Sequence, residues 1–168
     1  MASNRHLGRV IVLQSLYEYE PRTLARDPKV DLDTIIAKNI EPYEKTLGDT
    51  EFVYNLAHNV AKEFTTLDTA LQPMAPEWPI DSIAAIDRNI LRMGLYELSE
   101  CGDSIPPKVA LNEAVELAKS FGSENSSKFI NGVLGTAYKQ LGITEEKNHE
   151  SKSKSVDESE AGTNDGDK

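Results

Sequence analysis

Apolar residues recur along almost the whole chain at intervals of three and four, the spacing of a helix face. No segment alternates cleanly with the period of two that a half-buried strand requires. A first helix is expected over Asn4–Glu20, apolar at Val10, Ile11, Val12, Leu13, Leu16 and Tyr17, and ended by Pro21, which cannot donate the next helical hydrogen bond. A shorter helix is expected around Asp33–Leu47, with Pro42 arguing for a kink or an earlier end and Gly48 as the break. Asp49 or Thr50 can cap a further helix whose face is Phe52, Val53, Leu56, Val60, Phe64, Leu67 and Leu71. Pro73, Pro76 and Pro79 make the next stretch a loop.

The second half repeats the pattern. Asp81–Leu98 is expected to be helical, and Gly94 inside it suggests close helix packing, since a mid-helix glycine costs roughly 1 kcal/mol. Pro106-Pro107 opens a helix over Lys108–Phe121, with Gly122 placed as a left-handed C-cap. Ser123–Ser127 offers caps for a last helix reaching Leu141, in which Gly132 and Gly135 are expected to permit close approach to a neighbour. The fold class predicted is all-α: two small helical bundles, about 1–72 and 80–144, packed into one domain over 1–144. From Glu145 onward there is almost nothing to bury, and 145–168 is expected to be a disordered acidic tail.

Composition changes this picture little. With 168 residues the chain can build a real core, and no apolar run is long enough to span a membrane. No signal peptide is apparent, because Val10–Leu13 is too short for its apolar region. Cys101 is the single cysteine; with only His6, His58 and His149 scattered far apart, neither a disulfide nor a zinc site is expected. A reducing, cytoplasmic setting is the default that follows. The net charge is −10, of which the eight acids and four lysines of 145–168 contribute −4, so the body is acidic too. Any surface for nucleic acid must be a local basic patch.

Nucleotide-binding, hydrolase and zinc-protease motifs are absent, so no catalytic residue, cofactor or metal is expected, and the chain reads as a non-enzyme. Asp87, Arg88 and Arg92 read as a solvated or subunit-facing charged stripe. Arg5 and Arg9 lie one turn apart with His6 between them, at a helix start where cations oppose the dipole. They form either a phosphate cradle beside exposed helix-start amides or simply a solvated helix end. Phe121 and Phe129 bracket a polar turn carrying Asn125, three hydroxyls and Lys128. Rings, amides and cations in such a turn suit single-stranded RNA, although spacing alone favours both rings as core.

The segments Ile86–Leu98, Ile105–Lys119, Ser120–Gly122 and Ser126–Leu134 resemble the NusB family of bacterial transcription antitermination factors, and Arg5, Arg9 and Leu13–Tyr17 resemble its arginine-rich first helix. The likeness is specific over roughly 83–135 and mainly one of helix pattern between Arg22 and Pro79. It implies a helical double bundle that binds boxA RNA of rRNA operon transcripts together with NusE, a small-subunit ribosomal protein, within an antitermination complex on RNA polymerase. Homodimers that hide the RNA face are also implied. By the resemblance, Arg5, His6, Arg9, Tyr17, Asn125, Lys128 and Phe129 match positions of the RNA face. His6 replaces an arginine there, Asn125 stands where an aspartate is frequent, and Met74 occupies a loop position where an aromatic would help stacking. The alternatives are a dimerising helical module, or a detached domain related to those that precede rRNA cytosine methyltransferases.

Overall fold

The computed structural model describes residues 4–100 and 104–154, with side chains over 4–100 and 104–141. Cys101 and residues 155–168 of the expected tail therefore lie outside the described residues. Eight α-helices appear among the described residues: α1 (Arg5–Leu24), α2 (Leu32–Ile40), α3 (Glu44–Leu47), α4 (Thr50–Lys62), α5 (Phe64–Leu71), α6 (Ala85–Glu100), α7 (Pro107–Phe121) and α8 (Ser126–Lys154). Short 3-10 turns precede α3, follow α5 and precede α6. No strand occurs among them, as the apolar spacing requires.

Side-chain oxygens set three of the starts. Asn4, Asp31 and Asp49 accept from the backbone N–H of Leu7, Thr34 and Phe52, satisfying donors that have no partner inside the helix. Pro107 occupies the first turn of α7, where its missing N–H is harmless.

Several boundaries differ from expectation. Pro21 does not end α1, which runs on to Leu24. The carbonyl it leaves without a donor is that of Tyr17, a half-exposed residue where water can serve it. The helix expected from Asp49 to Leu71 breaks at Glu63 (φ −101°, ψ 14°), and the break turns α5 onto α6. As expected, Pro42 interrupts the Asp33–Leu47 segment, in a 3-10 turn between α2 and α3, and Gly48 (φ 79°) ends it. The expected Asp81 start of the next helix is a 3-10 turn, with α6 beginning at Ala85.

Gly122 is not left-handed: φ is −83° and ψ −174°. Glycine is needed there for space, because a Cβ would sit 2.5 Å from Ser126 Oγ and 2.7 Å from the Ala118 carbonyl oxygen. Gly94 does mark close packing, with Leu134 Cδ1 only 2.5 Å from where its Cβ would be. Gly132 and Gly135 do not, since nothing lies within 4 Å of either. Finally, α8 passes Leu141 and continues to Lys154, into the stretch expected to be disordered. The sequence supplies no proline there, and no glycine between Gly142 and Gly162, to stop it.

One connected core joins both halves of the chain, with Ile11 and Leu16 of α1, Ile36 of α2, Val53 of α4, Leu91 of α6 and Ile130 of α8 all buried. α1 packs on α2, α4 and α6, while α6, α7 and α8 pack on one another. Charge pairs fix α1 antiparallel to α6. Glu20, late in α1, meets Arg88 (2.6 Å) and Arg92 (2.5 Å) early in α6, and Arg92 also binds Asp68 of α5 (2.6 Å). These arginines are a clasp between helices, not the solvated or subunit-facing stripe expected from sequence. Burial works against the Arg92 charge, but Asp68 and Glu20 more than offset it and hold the guanidinium above its ordinary pKa.

Candidate nucleic-acid interface

The first cluster lies at the start of α1. The Arg5 guanidinium sits 4.7 Å above the Phe52 ring of α4, with Asp49 at 4.0 Å, and its side chain is 45% exposed. Resting on a ring face, the cation keeps part of its surface free for an anion. His6 Nδ1 is 2.9 Å from Glu113 Oε2 of α7, and its side chain is half exposed.

Arg9 departs from the expected cradle. It is only 3% exposed, and its Nε and Nη2 donate to both oxygens of the buried Glu97 at 2.8–3.2 Å. Glu113 lies 3.9 Å away, and Phe52 holds the guanidinium 5.3 Å from its ring centre. In this position Arg9 ties α1 to α6 and α7, leaving the outward contacts to Arg5 and His6. A bidentate fork in a water-poor setting is the geometry in which arginine binds carboxylate best.

The second cluster lies at the head of α8. Asn125 and Lys128 are exposed; Phe129 is partly buried against the core. Phe121 is 41% exposed, contrary to the core role its spacing suggested. The turn is rigid. Ser126 Oγ accepts from the Ser123 backbone N–H (2.8 Å) and donates to Asp87 Oδ2 (3.0 Å), tying the head of α8 to the start of α6. Asn125 and Phe129 share a hollow of about 300 Å³ with Trp78, and Lys128 and Phe129 share its neighbour with Trp78 and Met74.

Thus Asn125, Lys128 and Phe129 come together, as do Arg5, His6 and Arg9, but the two groups meet opposite ends of α6. Arg9 bonds Glu97, whereas Ser126 at the head of α8 bonds Asp87, ten residues or about 15 Å away along that helix. Tyr17 joins neither cluster by contact. It lies about three turns after His6 on the same exposed face of α1 and is 50% exposed. Among the described residues no group of three or more His, Cys, Asp or Glu could hold a metal, and no helix is long and apolar enough to cross a membrane.

A family model, described as the NusB family, matches residues 6–139. The chain belongs to the NusB family. The transcription antitermination protein NusB of Dehalococcoides mccartyi (strain CBDB1) is 40% identical over 86% of this chain and 96% of its own length. That of Chloroflexus aggregans is 34% identical over 89% and 97%. A T. maritima NusB structure superposes with a TM-score of 0.71 at 31% identity, covering 83% of this chain and 93% of its own. A structure of antitermination factors NusB and NusE in complex with dsRNA shares the fold, with a TM-score of 0.67 at 24% identity and 81% and 96% coverage.

Within the NusB frame the sequence overlooked two things. The carboxylates that claim Arg9 come from helices far along the chain, so helix-start spacing could not announce them. Trp78 lies in the Pro73–Pro79 loop, where helical spacing assigns it no role, yet it is the chain's single tryptophan, 56% exposed, and it borders both hollows at the head of α8. A lone large aromatic among three prolines was the available signal.

Proposed function

We propose that this chain is a non-catalytic transcription antitermination factor that binds boxA RNA of rRNA operon transcripts jointly with NusE, as part of a complex on RNA polymerase. Family membership supports the role, and the observation that carries the site is local. On an acidic body, Arg5 and Lys128 are cations turned outward, each beside an aromatic ring, with the Asn125 amide next to Lys128. Cations meet phosphates, and rings and amides meet unpaired bases. Arg5, His6, Tyr17, Asn125, Lys128 and Phe129 are the proposed contacts, with Arg9 holding the first of them in place. Strand and partner share the ordering cost, so boxA RNA binds weakly alone and more tightly once NusE is present.

Fluorescence anisotropy with boxA RNA, with and without NusE, tests this reading. Arg5→Ala and Lys128→Ala should each reduce the salt slope of single-strand binding by about 0.7. Equal affinity for boxA and a scrambled strand, with no gain from NusE, would refute it. A second reading, a homodimer covering the same face, draws on the exposed Tyr17 and Leu24, seven residues apart on α1. Mass measured with and without RNA separates the two, because RNA should dissociate such a dimer.

A further inference from the structure

The hollow beside Asn125 contains a donor-seeking group that packing does not explain. Asp87 lines it; one oxygen, Oδ2, accepts from Ser126, while Oδ1 is buried without a hydrogen-bond partner among the described residues. A buried acceptor left unpaired is uncommon, because it loses water and gains nothing in return. Across the same hollow stands Trp78, more than half exposed although it is the largest apolar side chain in the molecule. Its backbone is pinned. The Gln72 side chain donates to the Trp78 carbonyl (3.0 Å) and accepts from the Ile80 N–H (3.0 Å), while the Trp78 N–H donates to the Ala75 carbonyl (3.1 Å). The indole is therefore carried on a stiffened loop, so the cost of ordering its backbone is already met before anything binds.

We infer that Trp78 and Asp87 form a base-reading pocket, in which one unpaired base stacks on the indole and donates an amino N–H to the Asp87 carboxylate. The inference rests on the RNA-binding reading above and adds to it a stacking residue, a reading residue and a base class. An ionised carboxylate only accepts. Adenine, cytosine and guanine each carry an exocyclic amino group, whereas uracil can offer only N3–H, whose two flanking carbonyls would then face the carboxylate. A modest turn about the soft Cβ–Cγ torsion of Asp87 presents its spare oxygen to the base. Lys128, on the rim of the neighbouring hollow, is placed for the adjoining phosphate and offsets the repulsion between that phosphate and Asp87. The indole also supplies the ring that Met74 lacks in the same hollow.

The test uses the full chain with NusE, short single strands of A, C or U, and the chain's single tryptophan as reporter. Strands of A and C should alter the Trp78 emission and bind several-fold tighter than U. Trp78→Ala should weaken A binding about tenfold, with Trp78→Phe recovering most of the loss, as base–aromatic stacking does. Asp87→Asn keeps an acceptor for Ser126 and should erase the preference for A over U. Equal binding of A and U by the unaltered chain, or unchanged affinity in a folded Trp78→Ala variant, overturns the pocket. If Lys128→Ala still weakens binding in that case, the RNA-binding reading survives without it. If no strand binds, boxA included, both readings fall together.

Discussion

Arg9 offers the sharpest test of whether a residue holds the proposed RNA site in place or is itself a contact. Replacing it with alanine removes three hydrogen bonds to Glu97 and strands that carboxylate at 2% exposure, while Glu113 keeps its closer contact with His6. Breaking a buried pair from one side typically costs about 3–5 kcal/mol, because the surviving charge has neither partner nor water. For a chain of this size that corresponds to a fall of about 6–20 °C in Tm. Arg9→Ala should therefore melt early by circular dichroism, and Glu97→Gln alone should cost less, since the remaining amide still accepts one bond. In the double variant the two losses should be far from additive, the coupling reporting the pair itself. Below the melting range, the salt slope of RNA binding should be unchanged in Arg9→Ala and reduced by about 0.7 in Arg5→Ala. A variant as stable as the parent chain, with the slope reduced, would mean that Arg9 meets phosphate and that the Glu97 bridge contributes nothing.

Arg92→Met should cost less than Arg9→Ala, about 1.5–3 kcal/mol in urea melts, because Glu20 keeps Arg88 and Asp68 is open enough to rehydrate. A loss as large as that of Arg9→Ala would mean that Arg88 cannot hold Glu20 alone. The glycines of α6 and α8 should respond in opposite directions. Gly94→Ala drives a methyl against buried Leu134 and should destabilise by about 1–3 kcal/mol, whereas Gly135→Ala enters open space and should stabilise by about 0.4–1 kcal/mol. Equal effects would contradict the packing described for both. Asp31, held below the ordinary carboxylate value of 3.8 by the Thr34 hydroxyl and then the Thr34 N–H, stabilises α2 above its unfolded pKa, and the effect disappears as pH falls through the folded one. Thr34→Val should raise the Asp31 midpoint in an NMR titration, and an unmoved midpoint would rule out the hydroxyl as the main cause.

What could be read from sequence divides along a physical line. Helix identity depends on periodicity within a dozen residues, and Phe52, Val53, Leu56 and Val60 announce α4 whatever surrounds them. The reading of a mid-helix glycine as close packing holds at Gly94, where Leu134 fills the space, and fails at Gly132 and Gly135. The misreadings concern quantities that no local window contains. Whether Pro21 ends α1 depends on whether the Tyr17 carbonyl can reach water, and whether Gly132 admits a neighbour depends on what packs against α8. The site follows the same rule. Asn125, Lys128 and Phe129 sit within one turn of chain, so a sequence window finds them together. Arg9 and Arg5 look equivalent in that window, but Glu97 lies 88 residues from Arg9 and withdraws its charge from the surface. Trp78 and Asp87 reach the head of α8 only after α6 has packed against it. In an acidic helical protein, the charges available to an anion are therefore those left over once the fold has paired the rest. Counting arginines in the first helix overstates the charge open to an anion, and such a count cannot see the pocket proposed at Trp78.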